Sequence, residues 1–243
     1  MDEHRVGYGA DQIRAAERPH LAAGEPLMPR AATGLADVVA GLLDDVAVTA
    51  SDGPGRVLLL VGSGDNGGDA LYAGASLAEA GHTVEIVRTG SRVHEDGLAA
   101  ALGAGARLPA ENVLTDATPV ADVTRVVTEA ALRADLLLDA VLGIGRTGST
   151  ALRRPAREAV SAVRELARDQ RAPFVVAVDV PSGIDADTGA VSDEQVLQAD
   201  VTVTFGGVKA GLVRGPGSAL AGRVVLVDVG IGDELAGVEP LVP

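Results

Sequence analysis

The chain contains no cysteine. That removes disulfides, thiolate metal sites and cysteine nucleophiles, and it fits an intracellular protein. Lysine is almost as scarce: of 20 basic residues, 19 are arginine and only Lys209 is lysine. The skew looks like genomic base composition, so the cation expected anywhere is arginine. Lys209 reads equally well as a leftover surface residue or as a compact ammonium used because it can change protonation, which a guanidinium cannot. Positive charge is outnumbered, and a formal net charge of -14 creates a field that repels nucleic acid and anionic membrane surfaces. Also lacking are a run of about 20 apolar residues to cross a bilayer and a basic-then-apolar N-terminal signal, so a cytoplasmic location is expected. None of the histidines, at 4, 20, 82 and 94, falls in a glycine-rich loop after a strand. Acid–base chemistry is left to carboxylates or Lys209.

What the chain does have is an apolar run at 57–61 leading into Gly62-Ser63-Gly64-Asp65-Asn66-Gly67-Gly68-Asp69. Five large apolar residues without alternation predict a strand buried on both faces, the pattern of a parallel sheet. The four glycines allow positive φ and close approach of a ligand to the backbone. Asp69 is expected to open a helix whose free N–H groups suit an anion such as a phosphate. Gly62, Gly64 and Gly67 also meet the G-x-G-x-x-G dinucleotide spacing, which a tight strand-to-helix turn without any ligand satisfies equally. Asp65, Asn66 and Asp69 are the rarer part. Two carboxylates and an amide oxygen in an anion-attracting turn imply a ligand that needs oxygen donors, a cation or sugar hydroxyls.

At 243 residues the chain fits one large α/β domain. Residues 11–23 read as a helix broken by Gly24-Glu25-Pro26. Thr33 is positioned to cap a second helix with an apolar stripe at Leu35, Val38, Val39, Leu42, Leu43 and Val46. Both helices read as a preface to the sheet. Further strands are expected at 83–87, 135–141, 174–178, 201–205 and 224–227, with helices at 69–80, 90–103, 121–133 and 155–169. This alternation predicts a three-layer αβα sandwich, a single domain with a Rossmann-like, mostly parallel sheet and right-handed crossovers.

In such a sheet ligands bind outside the carboxyl ends of the strands. Four glycine-rich loops, at 62–69, 143–148, 179–189 and 206–211, follow strands directly. They should converge on one crevice holding Asn66, Asp69, Asp139, Asp179, Ser182 and Lys209. Asp139 and Asp179 gain nothing from burial at a strand end unless a partner is present, with backbone capping as the plainer alternative for each.

Those motifs carry a resemblance. The turn at 62–69, the strand end Asp139-Ala140-Val141-Leu142-Gly143-Ile144-Gly145, the loop at 178–189 and the run at 204–212 resemble the NAD(P)H-hydrate epimerases, the YjeF N-terminal domain family. Ile13-Arg14-Ala15-Ala16-Glu17 and Leu27-Met28 resemble that family's opening helices. The resemblance implies one domain of this type over 1–243, with no fused dehydratase domain. It implies an isomerase of nicotinamide cofactor repair that interconverts the R and S epimers of NADHX and NADPHX, the hydrated forms of NADH and NADPH. A separate dehydratase accepting only the S form would then restore the cofactor.

By the same resemblance the substrate contacts are Asp65, Asn66, Gly67, Gly68, Asp69, Gly143, Ile144, Gly145, Arg146, Thr147, Gly148, Ser149 and Asp179. One potassium ion per subunit would be held by Asn66, Asp139 and Ser182, and a homodimer is expected. An amide, a carboxylate and a hydroxyl are hard donors, which agrees with a hard cation. Asp179 is the expected acid–base residue, with Lys209 tuning its pKa or positioning the diphosphate. Asp65 stands where the family usually has Asn, and Ile144 where it usually has Thr. Two other functions remain open: a catalytically silent dinucleotide-binding or scaffolding module, and an ordinary NAD(P)-dependent oxidoreductase. The last is poorly served by a second strand with Glu85 in its middle and Arg88 at its end, where an acid for the ribose diol would stand.

Overall fold

The structure, a computed structural model, describes residues 6–50, 53–111, 113–143 and 150–243. The run at 57–61 forms strand β1 (Arg56–Val61), and its successive side chains leave in opposite directions. Val57, Leu59 and Val61 join one core cluster, Leu58 and Leu60 another. That is why the strand is apolar at every position rather than every second one. Each fully buried leucine contributes about 2 kcal/mol by leaving water.

Strand β2 (Thr83–Arg88) pairs with one edge of β1 and β3 (Leu136–Ala140) with the other. Adding β4 (Phe174–Val178), β5 (Val201–Phe205) and β6 (Arg223–Val227) gives the order β2-β1-β3-β4-β5-β6, every pair parallel. Helices α1 (Ala10–Ala22), α2 (Leu27–Ala50), α3 (Asp65–Glu79) and α4 (Glu95–Gly103) cover one face. On the other face lie α5 (Val120–Ala131) and α6 (Ala156–Arg168). Two short helices, α7 (Ala210–Val213) and α8 (Gly232–Ala236), follow β5 and β6. The expected three-layer α/β architecture is therefore present. The chain leaves β1 for β2 on one side and returns to β3 on the other, so the loops after β1 and β3 part at a switch point where a crevice opens.

Three helix starts differ from the sequence expectation. Helix α2 begins at Leu27, not at Thr33, and the Thr33 hydroxyl donates to the Pro29 carbonyl at 2.9 Å. Pro29 sits in the first turn, where its missing N–H is among those with no intrahelical acceptor in any case. Helix α4 begins at Glu95 rather than near residue 90, because the His94 ring caps it by accepting from the Gly97 N–H at 3.1 Å. Helix α3 begins at Asp65, with Gly64 as its N-cap, so Asp65 to Asp69 form its first turn rather than a loop ahead of it. None of the glycines in this turn has positive φ, and two of them serve close approach. A Cβ on Gly62 would lie 1.9 Å from the Val141 carbonyl oxygen, and one on Gly67 2.5 Å from that of Gly62.

Candidate active site

At the carboxyl ends of β1, β3, β4 and β5 lies a cavity of about 980 Å³. Asp65, Asn66 and Asp69 reach it from α3, Asp179 and Lys209 from the loops after β4 and β5. Its outer wall comes from Arg14, Glu17 and Arg18 of α1 and from Leu27 and Met28 of α2. The two N-terminal helices are thus part of the site, a correction to their reading as a preface.

Asp179 is the residue on which the site turns. Its φ is 69°, a left-handed conformation that non-glycine residues seldom adopt, and such strain costs about 1–3 kcal/mol where surroundings enforce it. The enforcing contacts are visible. The Asp179 N–H donates to the Val203 carbonyl at 2.7 Å. Its Oδ1 accepts from the Thr204 hydroxyl at 3.1 Å and from the Phe205 N–H at 3.4 Å, and the Lys209 ammonium lies 2.5 Å away. Lys209 is 1% exposed and also donates to the Phe205 carbonyl at 2.8 Å. The one lysine is therefore no leftover of the surface.

Asp69 lies one turn into α3 with its carboxyl buried at the cavity wall, and that carboxyl makes no hydrogen bond among the described residues. Burial, reinforced by the negative charges of Asp179 and Asp65 and opposed by Lys209, pushes its pKa up to about 8. Glu17, reaching in from α1, is raised as well, again chiefly by burial, with Lys209 opposing and Asp179 and Asp65 adding. Several carboxyls thus surround a single ammonium. Two of them, Asp69 and Asp179, differ in kind: one is without a partner and inclined to hold its proton, the other is the counterion of Lys209.

A second group gathers around residues 139–143. Asp139 is buried, its Oδ2 accepts the Ser182 N–H at 2.9 Å, and its Oδ1 has no partner. Burial raises the Asp139 pKa, and hydrogen bonds from Ser182 and the Val141 N–H offset this in part. The Ser182 hydroxyl accepts from the Leu142 N–H at 2.9 Å. Asn66 donates to the Val178 carbonyl at 2.5 Å, which turns its Oδ1 toward Gly143, where a Cβ would stand only 2.2 Å from it. An orphaned carboxylate oxygen, an amide oxygen and a hydroxyl around one segment fit a hard cation. Among the described residues no cluster of three His, Cys, Asp or Glu side chains is arranged to hold a metal ion.

Sequence comparison completes the picture. The profile of the family described as YjeF-related protein N-terminus matches residues 24–211. The chain belongs to this family. A Clavibacter michiganensis protein named NAD(P)H-hydrate epimerase is 50% identical over 97% of this chain and 94% of its own length. A Microbacterium testaceum protein of the same name is 47% identical over 99% of this chain and 84% of its own. The Mycobacterium tuberculosis bifunctional NAD(P)H-hydrate repair enzyme Nnr is 42% identical over 92% of this chain, which spans 41% of that protein. Among solved structures, yeast ynu0 shares the fold with a TM-score of 0.66 at 18% identity, over 84% of this chain and 82% of that one.

Of the family motif positions, Asp65, Asn66, Gly67, Gly68, Asp69, Asp139, Gly143, Asp179, Ser182 and Lys209 all lie at the carboxyl end of the sheet, on α3, at the end of β3 or in the loops after β3, β4 and β5. Ile144, Gly145, Arg146, Thr147, Gly148 and Ser149 lie outside the described residues. Two acids of the third loop serve structure instead: Asp185 Oδ1 accepts the Thr188 N–H at 2.8 Å, and Asp187 Oδ1 accepts the Ala10 N–H at 2.6 Å, anchoring α1. Sequence reading missed Glu17, Thr204 and His94. His94 packs its ring behind Gly68 and edge-on to Tyr72, bracing the first turn of α3. Thr204 had a legible signal, a hydroxyl beside the apolar end of a buried strand; for Glu17 the helix was legible but its place at the cavity was not, since that depends on where α1 docks.

Proposed function

We propose that this protein is an NAD(P)H-hydrate epimerase that inverts C6 of the hydrated nicotinamide ring in NADHX and NADPHX. The observation that carries the reading is the site itself: a dinucleotide-sized cavity in a YjeF-family chain, faced by two buried carboxyls, Asp69 with its pKa pushed up to about 8 and Asp179 ion-paired with Lys209. Two carboxyls placed in contrasting surroundings are what acid and base partners require.

In this reading the ring nitrogen's lone pair forms a C6=N bond as the C6–O bond breaks, and the hydroxyl departs as water with a proton from Asp69. Water returns to the opposite face of C6 and gives its proton to the Asp179 carboxylate, whose charge Lys209 balances. The assignment moves the proton-donating role from Asp179 to Asp69. The free N–H groups of the first turn of α3 are suited to the substrate's diphosphate. Asn66, Asp139 and Ser182 would hold a potassium ion, whose positive charge would compensate the buried Asp139. A homodimer, a dehydratase consuming the S epimer and a cytoplasmic setting belong to the same proposal. No helix among the described residues is long and apolar enough to cross a membrane.

The test mixes purified protein with epimeric NADHX or NADPHX and follows R-to-S equilibration chromatographically, with and without potassium. Equilibration faster than the spontaneous reaction is expected. No acceleration, with dinucleotide binding retained, would favour a silent binding module.

A further inference from the structure

A second cavity, of about 450 Å³, opens beside the first at the tip of β2. Its size falls within the roughly 300–1,000 Å³ of small-molecule sites. The two cavities share Ser63 and Arg92 as wall residues, so one elongated molecule can lie across both. The loop that forms the near wall is held in place. Thr89 donates to the Val61 carbonyl through both its N–H, at 2.8 Å, and its hydroxyl, at 3.1 Å. The Arg88 guanidinium donates to the Ser91 carbonyl at 2.8 Å. Across the cavity, Arg154 is fixed by the Thr118 carbonyl at 2.8 Å and by Glu158 at 3.2 Å.

The charge here runs against that of the whole chain. In a protein of net charge -14, this cavity is lined by two arginines, Arg92 and Arg154, the second already paired with Glu158, and by one acid, Asp116. Arg92 is exposed and has no hydrogen bond or ion pair among the described residues. In dinucleotide-binding sheets of this kind, the group at the tip of the second strand reads the adenosine ribose: an acid takes the 2′-hydroxyl, and a nearby arginine accommodates a 2′-phosphate. Here that strand ends in Arg88, and Glu85, its one acid, is paired with Arg133 at 2.7 Å.

We propose that this cavity is the adenosine subsite and that Arg92, with Arg154 opposite, receives a 2′-phosphate, so that the 2′-phosphorylated substrate is preferred. The proposal rests on the reading of the first cavity as the seat of the hydrated nicotinamide. Asp116 is the countervailing group, able to accept from a free 2′-hydroxyl.

The test has two arms on the full chain. Calorimetric titration with adenosine 2′,5′-bisphosphate and with ADP should show the first binding at least about tenfold more tightly, as one well-placed charge-assisted contact supplies. In Arg92→Gln, and further in Arg92→Gln with Arg154→Gln, that ratio should fall toward one, with circular dichroism reporting that the variants are folded. The ratio of kcat/KM for NADPHX over NADHX should fall in parallel. Equal affinities in the unsubstituted protein, binding of neither nucleotide, or a preference that survives both substitutions would overturn the proposal. An Arg92-dependent preference without epimerisation would leave the subsite standing and remove the epimerase reading; epimerisation without preference would do the reverse.

Discussion

Lys209 and Asp179 form an ion pair of 2.5 Å with both side chains withdrawn from solvent. Removing one member of a buried pair strands the other charge at a cost of about 3–5 kcal/mol. Asp179→Asn and Lys209→Met should therefore each lower the denaturant midpoint strongly, and Asp179→Asn should abolish epimerisation. The double variant should recover much of the stability and none of the activity. A chemical-denaturation double-mutant cycle checks this; additive losses would mean that the two groups do not act as a pair.

Asp69 ties stability and rate to pH in a known direction. Its folded pKa of about 8 lies above the ordinary carboxylate value, so its contribution favours folding below about pH 4 and is lost as pH rises through about 8. Asp69→Asn should then raise the melting temperature by a few degrees at pH 8 and change it little at pH 4. The epimerisation rate of the unsubstituted protein should decline along an alkaline limb near pH 8, because the donor loses its proton. Melting curves and a pH–rate profile measure both; an Asp69→Asn protein with the same profile would contradict the assignment.

Gly143 is where the cation proposal can be probed by shape. A Cβ there meets the Asn66 amide at 2.2–2.7 Å, whereas one on Gly41 meets nothing. Gly143→Ala should displace Asn66 and remove any thermal stabilisation by added potassium chloride over sodium chloride. Gly41→Ala, in the interior of α2, should keep that response and gain about 0.5–1 kcal/mol of stability. An unchanged potassium response in Gly143→Ala would count against Asn66 as a ligand.

His20 links α1 to two acids, Glu25 at 2.9 Å and Glu234 at 3.0 Å. Those carboxylate contacts, Glu234 first, raise its pKa. The stabilisation is therefore fully present below the ordinary histidine value of about 6.5 and is lost as pH rises through the raised folded value. His20→Gln should flatten the melting temperature between pH 6 and 8, and an unaltered slope there would refute the link.

The sheet was legible because buried parallel strands are apolar throughout, as 57–61 and 136–138 are, and because glycine-rich loops mark where they end. The site was legible to the extent that it lies at those strand ends: Asn66, Asp69, Asp179 and Lys209 line one cavity, while Asp139 and Ser182 bond to each other and are not among its wall residues. What local pattern could not convey depends on contacts across the fold. The start of α3 at Asp65 follows from close packing of Gly62 and Gly67 on their neighbours. Glu17 enters the cavity because α1 docks beside it, and the contrast between Asp69 and Asp179 arises from which of them lies against Lys209. Neither relationship has a sequence spacing.

The most direct measurement is the conversion of a single purified epimer, R-NADPHX, by the unsubstituted protein and by Asp179→Asn at equal bound fraction. Conversion well above the spontaneous rate is expected for the first and the spontaneous rate for the second. Unaccelerated conversion by the unsubstituted protein, or full acceleration by Asp179→Asn, would contradict this mechanism.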